Sequence, residues 1–542
     1  MGKMGVWRFL EERGEWFALV AVFCVAFALR YHFLTAYPHA LMLHEQDGIS
    51  YMGIAKGIIE WTPLQSTFKP PFYPFVVAIF ARLPVNLEFA ARLASISMDA
   101  LVVFPLYGLA RATLSRSASF ATAILWSFFS FSLFISPSPL SVSTYLFFLL
   151  AGTCLLNLCL ENDRHGGWLI PAGACFAFSY LARPEGIAAF ACGTALLLVY
   201  LLRGAELKKL KVRLPMFLGG FLFFAVPYMV FLHNHLGYWT FTGKTRVALM
   251  GIDGSMTLQG SNLANVKGSG ISLWLEQYGG VAGFLANTLK NFKGFMEPFF
   301  ATFPLWMFVI ALAGVFYFLL EKGLRKKLYL LVPLFATVPV YIANLPYTNS
   351  YIYPLYPVFF ILFTAGVVGI AKGCLKLAAI AGIPLHNRVI GFAMALLLVL
   401  TTGFAAFASF EKADDNYNSQ SFIFESVRSD FFRDLGYYIN SISDKKDIVM
   451  ARWSVIPYYA DRLVLGLPKG NVDDVLAYGR KNGARFLVID TASVKSRRQE
   501  LGELLKPLSG QAVNPSYGLK VVRAESLSVF GGYVLYELSS GK

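Results

Sequence analysis

The sequence predicts a polytopic α-helical membrane protein that carries a C-terminal α/β domain outside the membrane. Three observations lead there. The chain is 56% hydrophobic and only 15% charged over 542 residues, whereas a soluble protein is about a quarter charged. Its apolar residues gather in repeated stretches of about 17 to 25, the length that crosses roughly 30 Å of hydrocarbon at 1.5 Å per residue. Its basic residues collect in alternate connecting segments, as they do in cytoplasmic loops.

Taken in order, the apolar stretches place about eleven spans, near 16–36, 88–110, 118–136, 143–160, 168–182, 186–202, 214–232, 297–320, 328–345, 351–371 and 389–410. The first is long and has no small-residue cleavage site behind it, so it reads as a retained helix and not as a removed signal peptide.

Segments 1–15, 111–117, 161–167, 203–213, 321–327 and 372–388 hold 18 lysines and arginines, while the short loops of the opposite side hold only Arg183. This bias puts the N-terminus in the cytoplasm. An odd number of spans then puts residues 411–542 outside, together with two long loops, 37–87 and 233–296. The expected organisation is a transmembrane domain over 1–410 and an extracytoplasmic domain over 411–542. The net charge of +15 does not point to nucleic acid, because 411–542 is nearly balanced at 18 basic and 16 acidic residues. The excess lies in the membrane part, where it sets topology and attracts anionic lipid.

All six cysteines, at 24, 154, 159, 175, 192 and 374, lie in or beside spans. They form neither a disulfide framework nor a zinc pattern. No Asn-x-Ser/Thr sequon is usable, since Asn514 is followed by proline. The expected location is a bacterial inner membrane with the C-terminal domain in the periplasm.

After Phe410 short apolar runs alternate with amphipathic ones. Helices are expected at 423–439, 472–482 and 497–505, and strands at 447–451, 463–465, 486–490, 520–523 and 533–538. They should form a small, mostly parallel sheet with helices packed on it. No glycine-rich phosphate loop follows any strand, so the domain is expected to support the membrane part or to recognise an acceptor.

Chemistry in such a chain should reside in ionisable groups close to the apolar region, where they are costly unless paired or facing water. The first outer loop is the richest stretch, with Glu45, Asp47, Tyr51 and Lys69. Asp47 precedes a helical run, where it could cap backbone N–H groups or act as a proton-accepting carboxylate; the two roles are compatible. Lys69 and Arg246 suit phosphate binding or headgroup anchoring. Arg183 and Glu185 stand two apart in a short break between spans, where they could pair with each other. Arg30 lies inside the first span and is expected to face a polar cavity, since an arginine is costly there otherwise. Asp99, deep in the second span, is expected to partner a neighbouring helix. Tyr51, Tyr347, Tyr351, Trp239 and Trp274 could line a cavity, though the tryptophans also suit an interfacial belt.

The order Asp47, Tyr51, Ala55, Lys69-Pro70-Pro71-Phe72-Tyr73-Pro74 and Arg92-Leu93 resembles the start of the membrane glycosyltransferase family that includes protein O-mannosyltransferases and the lipid A aminoarabinose transferases. Leu181-Ala-Arg183-Pro184-Glu185-Gly186 is similar to that family's break between two spans. Tyr351-Ile-Tyr-Pro354-Leu-Tyr-Pro357 is similar to the start of its late span, and Pro457-Tyr-Tyr459-Ala-Asp-Arg462 and Gly483-Ala-Arg-Phe-Leu-Val-Ile-Asp490 resemble the bacterial branch's outer domain.

The resemblance implies a GT-C fold whose cavity takes a polyprenyl-phosphate-linked sugar and transfers the sugar, with inversion, to a lipid, glycan or protein acceptor. It makes Asp47 the general base. Three departures stand out. Gly48 occupies the place of a second loop acid, with Glu45 as a substitute; the stretch Ser136 to Tyr145 has no acid; and Ser350 stands where the late span often begins with arginine. They imply no cofactor and leave carboxylate binding of a divalent metal poorly supported. A transporter or flippase, or a relative that binds the lipid-sugar without transferring it, remain as alternatives.

Overall fold

The computed structural model describes residues 3–37, 41, 46–64, 66–161, 163–203, 207–243, 279–325, 327–336, 338–339, 349–381, 387–527 and 531–539. It divides into two compact units, one of residues 1–36, 51–249 and 274–416, the other of 37–50, 250–273 and 417–542.

The first unit is helical. In chain order its main helices are α1 (Lys3–Ala36), α2 (Gln46–Ile59, whose first residues fall in the other unit), α3 (Phe72–Phe80), α4 (Leu87–Leu101), α5 (Val103–Arg111), α6 (Arg116–Ser127), α7 (Ser130–Ile135), α8 (Val142–Glu161), α9 (Leu169–Ala182), α10 (Gly186–Arg203), α11 (Leu207–Leu236), α12 (Val281–Thr302), α13 (Leu305–Leu320), α14 (Leu355–Ile380) and α15 (Asn387–Asn418). Among the described residues seven helical stretches are long and apolar enough to cross a membrane, and α12 with α13, bent by 107°, would make an eighth. The chain is a multi-pass membrane protein.

The difference from eleven uninterrupted spans has local causes. The stretch expected at 118–136 is broken, because Phe128 and Phe129 leave the helix at φ −100° and −65° with ψ 5° and 117°. The Ser130 N–H is taken by Ser409 Oγ at 2.8 Å instead of a carbonyl one turn back. The stretch at 168–182 gives only the 14-residue α9, stopped before Pro184. Within 328–345 the described residues contain short helical pieces such as Val332–Phe335.

A broken helix leaves carbonyls that lipid cannot satisfy. Basic side chains meet them here. Arg30 donates to Trp126 O and Ser127 O, both at 3.2 Å, at the end of α6. Lys412 donates to Thr302 O at 3.1 Å and to Ala301 O at the end of α12.

Between α13 and α14 the helices touch backbone to backbone. A Cβ on Gly314 would lie 1.9 Å from Leu362 O, and one on Gly366 1.8 Å from Ile310 O. Small residues permit such approach where the solvent is lipid and burial of apolar surface gives no net drive.

The second unit holds a five-stranded sheet of β1 (Ile448–Met450), β2 (Leu463–Leu465), β3 (Ala484–Asp490), β4 (Leu519–Leu527) and β5 (Gly531–Leu538), in the order β2-β1-β3-β5-β4. The expectation of a mostly parallel sheet is corrected. β1 runs parallel to β2 and β3, but β5 is antiparallel to β3 and β4. The β4–β5 connection is too short for the crossover that parallel pairing requires, so those two strands run antiparallel.

Helices α16 (Gln420–Ile442), α17 (Val455–Ala460), α18 (Val472–Lys481) and α19 (Thr491–Arg497) accompany the sheet. Asn471 and Asp474 cap α18 reciprocally. The helix expected at 497–505 is instead the end of α19 followed by 3₁₀ turns over Gln499–Ser509. Met450, Leu476, Leu487, Val534 and Tyr536 are buried together as the core.

Candidate active site

In the membrane unit the residues singled out in the sequence fall into two cation–aromatic stations joined by one helical turn. Lys69 lies between α2 and α3 and is buried, 4% exposed. Its Nζ lies 5.0 Å from the ring centre of Tyr51 and 5.4 Å from that of Phe68. Tyr51 stands edge-on to Tyr73 at 5.1 Å and shares a 2.9 Å hydrogen bond with Ser141 Oγ.

Ser141 begins the turn that leads into α8, and its carbonyl accepts from Tyr145 N at 3.0 Å. The Tyr145 ring lies 6.0 Å from the Arg183 guanidinium, and the Tyr351 ring lies 5.3 Å from it. Attraction of a cation to a ring face strengthens as water is excluded, and both stations are largely shielded.

Arg183 leaves α9 in extended conformation, φ −148° and ψ 130°, because Pro184 disfavours a helical residue before it. Its Nε is 3.5 Å from Glu185 Oε2, and the two side chains are 13% and 10% exposed. Arg183 and Glu185 therefore share one station.

The Ser136–Ser141 stretch is pinned from several sides. Arg92 donates to Pro137 O at 3.0 Å and also pairs with Glu88; Ser95 Oγ donates to Leu140 O at 3.3 Å. Sequence reasoning missed Ser141 and Tyr145 as site residues. The signal was the hydroxyl density of Ser136, Ser138, Ser141, Ser143 and Thr144 in an otherwise apolar chain.

Asp47 is exposed and lies in the first turn of α2, one turn ahead of Tyr51. Asp47 is thus inside the helix that it was expected to precede. A carboxylate in a first turn is favoured by the helix dipole and unsatisfied N–H groups. Glu45, Arg246, Tyr347 and Trp274 lie outside the described residues. Trp239 is 66% exposed and stacks on His233 at 4.4 Å, as an interfacial aromatic does.

Arg30 is fully buried and bound within the protein. Its Nε donates to Asp99 Oδ1 at 2.8 Å, and Nη1 donates to Ala26 O at 2.8 Å and to Ser127 O. Its Nη2 donates to Trp126 O and to Ser132 Oγ at 2.5 Å. All five guanidinium N–H bonds are used. Asp99 is as fully occupied: Ser132 also donates to Oδ1 at 2.5 Å, while Oδ2 accepts from Ser143 at 2.9 Å and from Tyr353.

Among the described residues no three His, Cys, Asp or Glu side chains converge as metal ligands do. The donor set of the two stations is cationic and hydroxyl-bearing, which suits an anion and a polyol.

Known proteins share the fold that carries these residues. Residues 68–232 match the family model for dolichyl-phosphate-mannose-protein mannosyltransferase. Over nearly its whole length the chain superposes on ArnT from Cupriavidus metallidurans bound to undecaprenyl phosphate, with a TM-score of 0.58 at 15% identity, covering 96% of this chain and 98% of that one. The fold is GT-C.

The Archaeoglobus fulgidus oligosaccharyltransferase in its apo form also matches, with a TM-score of 0.51 at 13% identity, covering 95% of this chain and 74% of that one. A further structure of that enzyme, tethered with an acceptor peptide containing the NVT sequon, matches with a TM-score of 0.50 at 14% identity over 91% of this chain and 70% of that one. No curated protein matches the chain by sequence. The chain thus resembles glycosyltransferases of the mannosyltransferase and ArnT kind, in sequence over residues 68–232 and elsewhere in fold.

Proposed function

We propose that the chain is an inverting glycosyltransferase that moves a sugar from a polyprenyl-phosphate carrier to an acceptor hydroxyl at the extracytoplasmic face of the bacterial inner membrane. The observation that carries this reading is the pair of shielded cation–tyrosine stations, Lys69 with Tyr51 and Arg183 with Tyr351, in a GT-C fold.

Asp47 accepts the proton of the acceptor hydroxyl. The acceptor oxygen forms its bond to the anomeric carbon while the bond from that carbon to the phosphate oxygen breaks, and the carrier phosphate leaves with the electron pair. Lys69 and Arg183 offset the charge that develops on the departing phosphate, and the forked guanidinium suits its oxygens. Tyr51 and Tyr351 hold the cations and border the sugar. The lipid, glycan or protein nature of the acceptor is left open by this chemistry. The reaction is written without a metal, since cations of the chain supply the positive charge.

The GT-C fold speaks against the transporter alternative. The Arg183–Glu185 pairing at 3.5 Å favours a second reading, a non-catalytic binder of lipid-sugar, because Glu185 competes with phosphate for the guanidinium. NMR of the product's anomeric centre separates these. Inversion relative to the donor is expected; retention overturns the single-displacement mechanism, and absence of any product across lipid, glycan and peptide acceptors favours the binder.

A further inference from the structure

The second unit contains a group of buried polar atoms that its own fold leaves unsatisfied. Glu425 Oε2, Ser426 Oγ, Arg428 Nε and Ser429 Oγ, all on α16, and Trp453 Nε1, just before α17, are buried without a hydrogen-bond partner among the described residues, while Glu425 and Arg428 pair with each other through Oε1 and Nη2. Ser429 is 0% exposed. It interrupts an inward face of α16 that is otherwise Phe422, Phe432, Leu435, Gly436 and Ile439. Buried polar atoms are nearly always paired, so several within about one and a half turns and one neighbouring segment mark a place built for something else.

The packing of α16 against α17 brings the segment that carries Trp453 towards α16. A Cβ on Gly436 would lie 2.8 Å from Ile456 O, and Asn440 Nδ2 donates to Ala460 O at 2.8 Å. The two helices therefore run in step, and by that register the residue three before Ile456 falls opposite Arg433, one turn past Ser429.

Tyr37 and Leu41, from the part of the first loop that belongs to the same unit through Ser50, reach towards these helices. Tyr37 stacks on Tyr417 at 4.7 Å, Tyr417 stands edge-on to Phe422 at 4.8 Å, and Leu41 N donates to Tyr459 Oη at 2.9 Å. That loop leads to Asp47.

We infer that Glu425, Ser426, Arg428, Ser429 and Trp453 form a binding subsite for a saccharide portion of the acceptor. The chemistry of the atoms selects the class. Indole and guanidinium N–H only donate, a carboxylate oxygen only accepts, and the two serine hydroxyls do both. Neighbouring sugar hydroxyls each donate and accept and so satisfy a mixed set. A phosphate satisfies only the donors and is opposed by Glu425. The ligand class rests on the glycosyltransferase reading of the chain; the unsatisfied atoms do not.

The test is saturation-transfer NMR on the full chain in nanodiscs, with a mixture of neutral hexoses, N-acetylhexosamines and their disaccharides as probe. At least one of these sugars should receive saturation in the wild type and in Asp47→Asn, and lose it at least fivefold in Ser429→Ala and in Glu425→Gln. Ser429→Ala should also unfold at an equal or higher temperature than the wild type, since it removes an unsatisfied hydroxyl; a hydroxyl needed for structure would lower it. No saturation of any sugar, equal signals in the variants, or preferential binding of a peptide mixture overturns the inference. Sugar binding with undiminished transfer in Asp47→Asn counts against the proposed base and leaves the subsite standing, and the opposite pair of results does the reverse.

Discussion

Tyr353 donates its hydroxyl proton to Asp99, and two residues earlier Tyr351 faces Arg183 at 5.3 Å. One short segment ahead of α14 therefore joins the buried Arg30–Asp99 pair to the Arg183 station. Fixing Tyr353 on a saturated network holds Tyr351 at a set distance from the guanidinium, with little freedom left to lose when a ligand arrives.

Tyr353→Phe removes one of the two donors on Asp99 Oδ2 and leaves a buried carboxylate oxygen under-satisfied. The expected cost is about 1–3 kcal/mol, read by chemical unfolding in detergent. Affinity for undecaprenyl phosphate should fall in the same variant, because Tyr351 is released from its place against Arg183. Unchanged affinity would show that Tyr351 is held by other means.

The Arg30–Asp99 pair should behave as a unit. Arg30→Met or Asp99→Leu alone leaves one uncompensated buried charge, at an expected cost of roughly 3–5 kcal/mol, whereas removing both together costs far less. Recovery stays incomplete, since Trp126 O and Ser127 O lose their donor with Arg30. A double-mutant cycle on unfolding free energies measures the coupling, and additive losses would contradict the account.

Backbone contact between α13 and α14 predicts a sharp difference between two glycines of one helix. Gly366→Leu has no room, with Ile310 O 1.8 Å from an added Cβ, while Gly373 meets nothing within 4 Å. Yield of monodisperse protein should collapse for Gly366→Leu and be unaffected by Gly373→Ala.

Much of this was readable from the chain. Spans α1, α8, α10 and α15 announce themselves by length and hydropathy. The strands of the second unit follow from short apolar runs, and the Arg183-Pro184-Glu185 break from proline chemistry. The interruption at Phe128–Phe129 has no Gly or Pro to signal it. It depends on Ser409 and Arg30, 279 residues after Ser130 and about one hundred before it, so only tertiary structure reveals it. The fate of Arg30 was hidden for the same reason: an intramembrane arginine reads as cavity-facing until its carbonyl, hydroxyl and carboxylate partners from three other segments are known. The antiparallel pairing of β4 and β5 was legible but missed, since the gap between the strands expected at 520–523 and 533–538 is already too short for a parallel crossover.

The Arg183 station gives a graded prediction. Arg183→Ala should weaken undecaprenyl phosphate binding by about tenfold or more, in line with loss of a charge-assisted pair worth roughly 1.5–3 kcal/mol, and Arg183→Lys should restore it only in part, since lysine lacks the fork. Glu185→Gln should raise the affinity by removing the competing carboxylate 3.5 Å away. Equal affinity in all three would make this station purely structural.

Turnover by Asp47→Asn tests the central claim most directly. With a radiolabelled polyprenyl-phosphate sugar and a panel of lipid, glycan and peptide acceptors, the wild-type chain should form product, and the variant should do so about 10²- to 10⁴-fold more slowly, the range for loss of a general base. Its unfolding and its binding of undecaprenyl phosphate should match the wild type. Full activity in Asp47→Asn would contradict the mechanism.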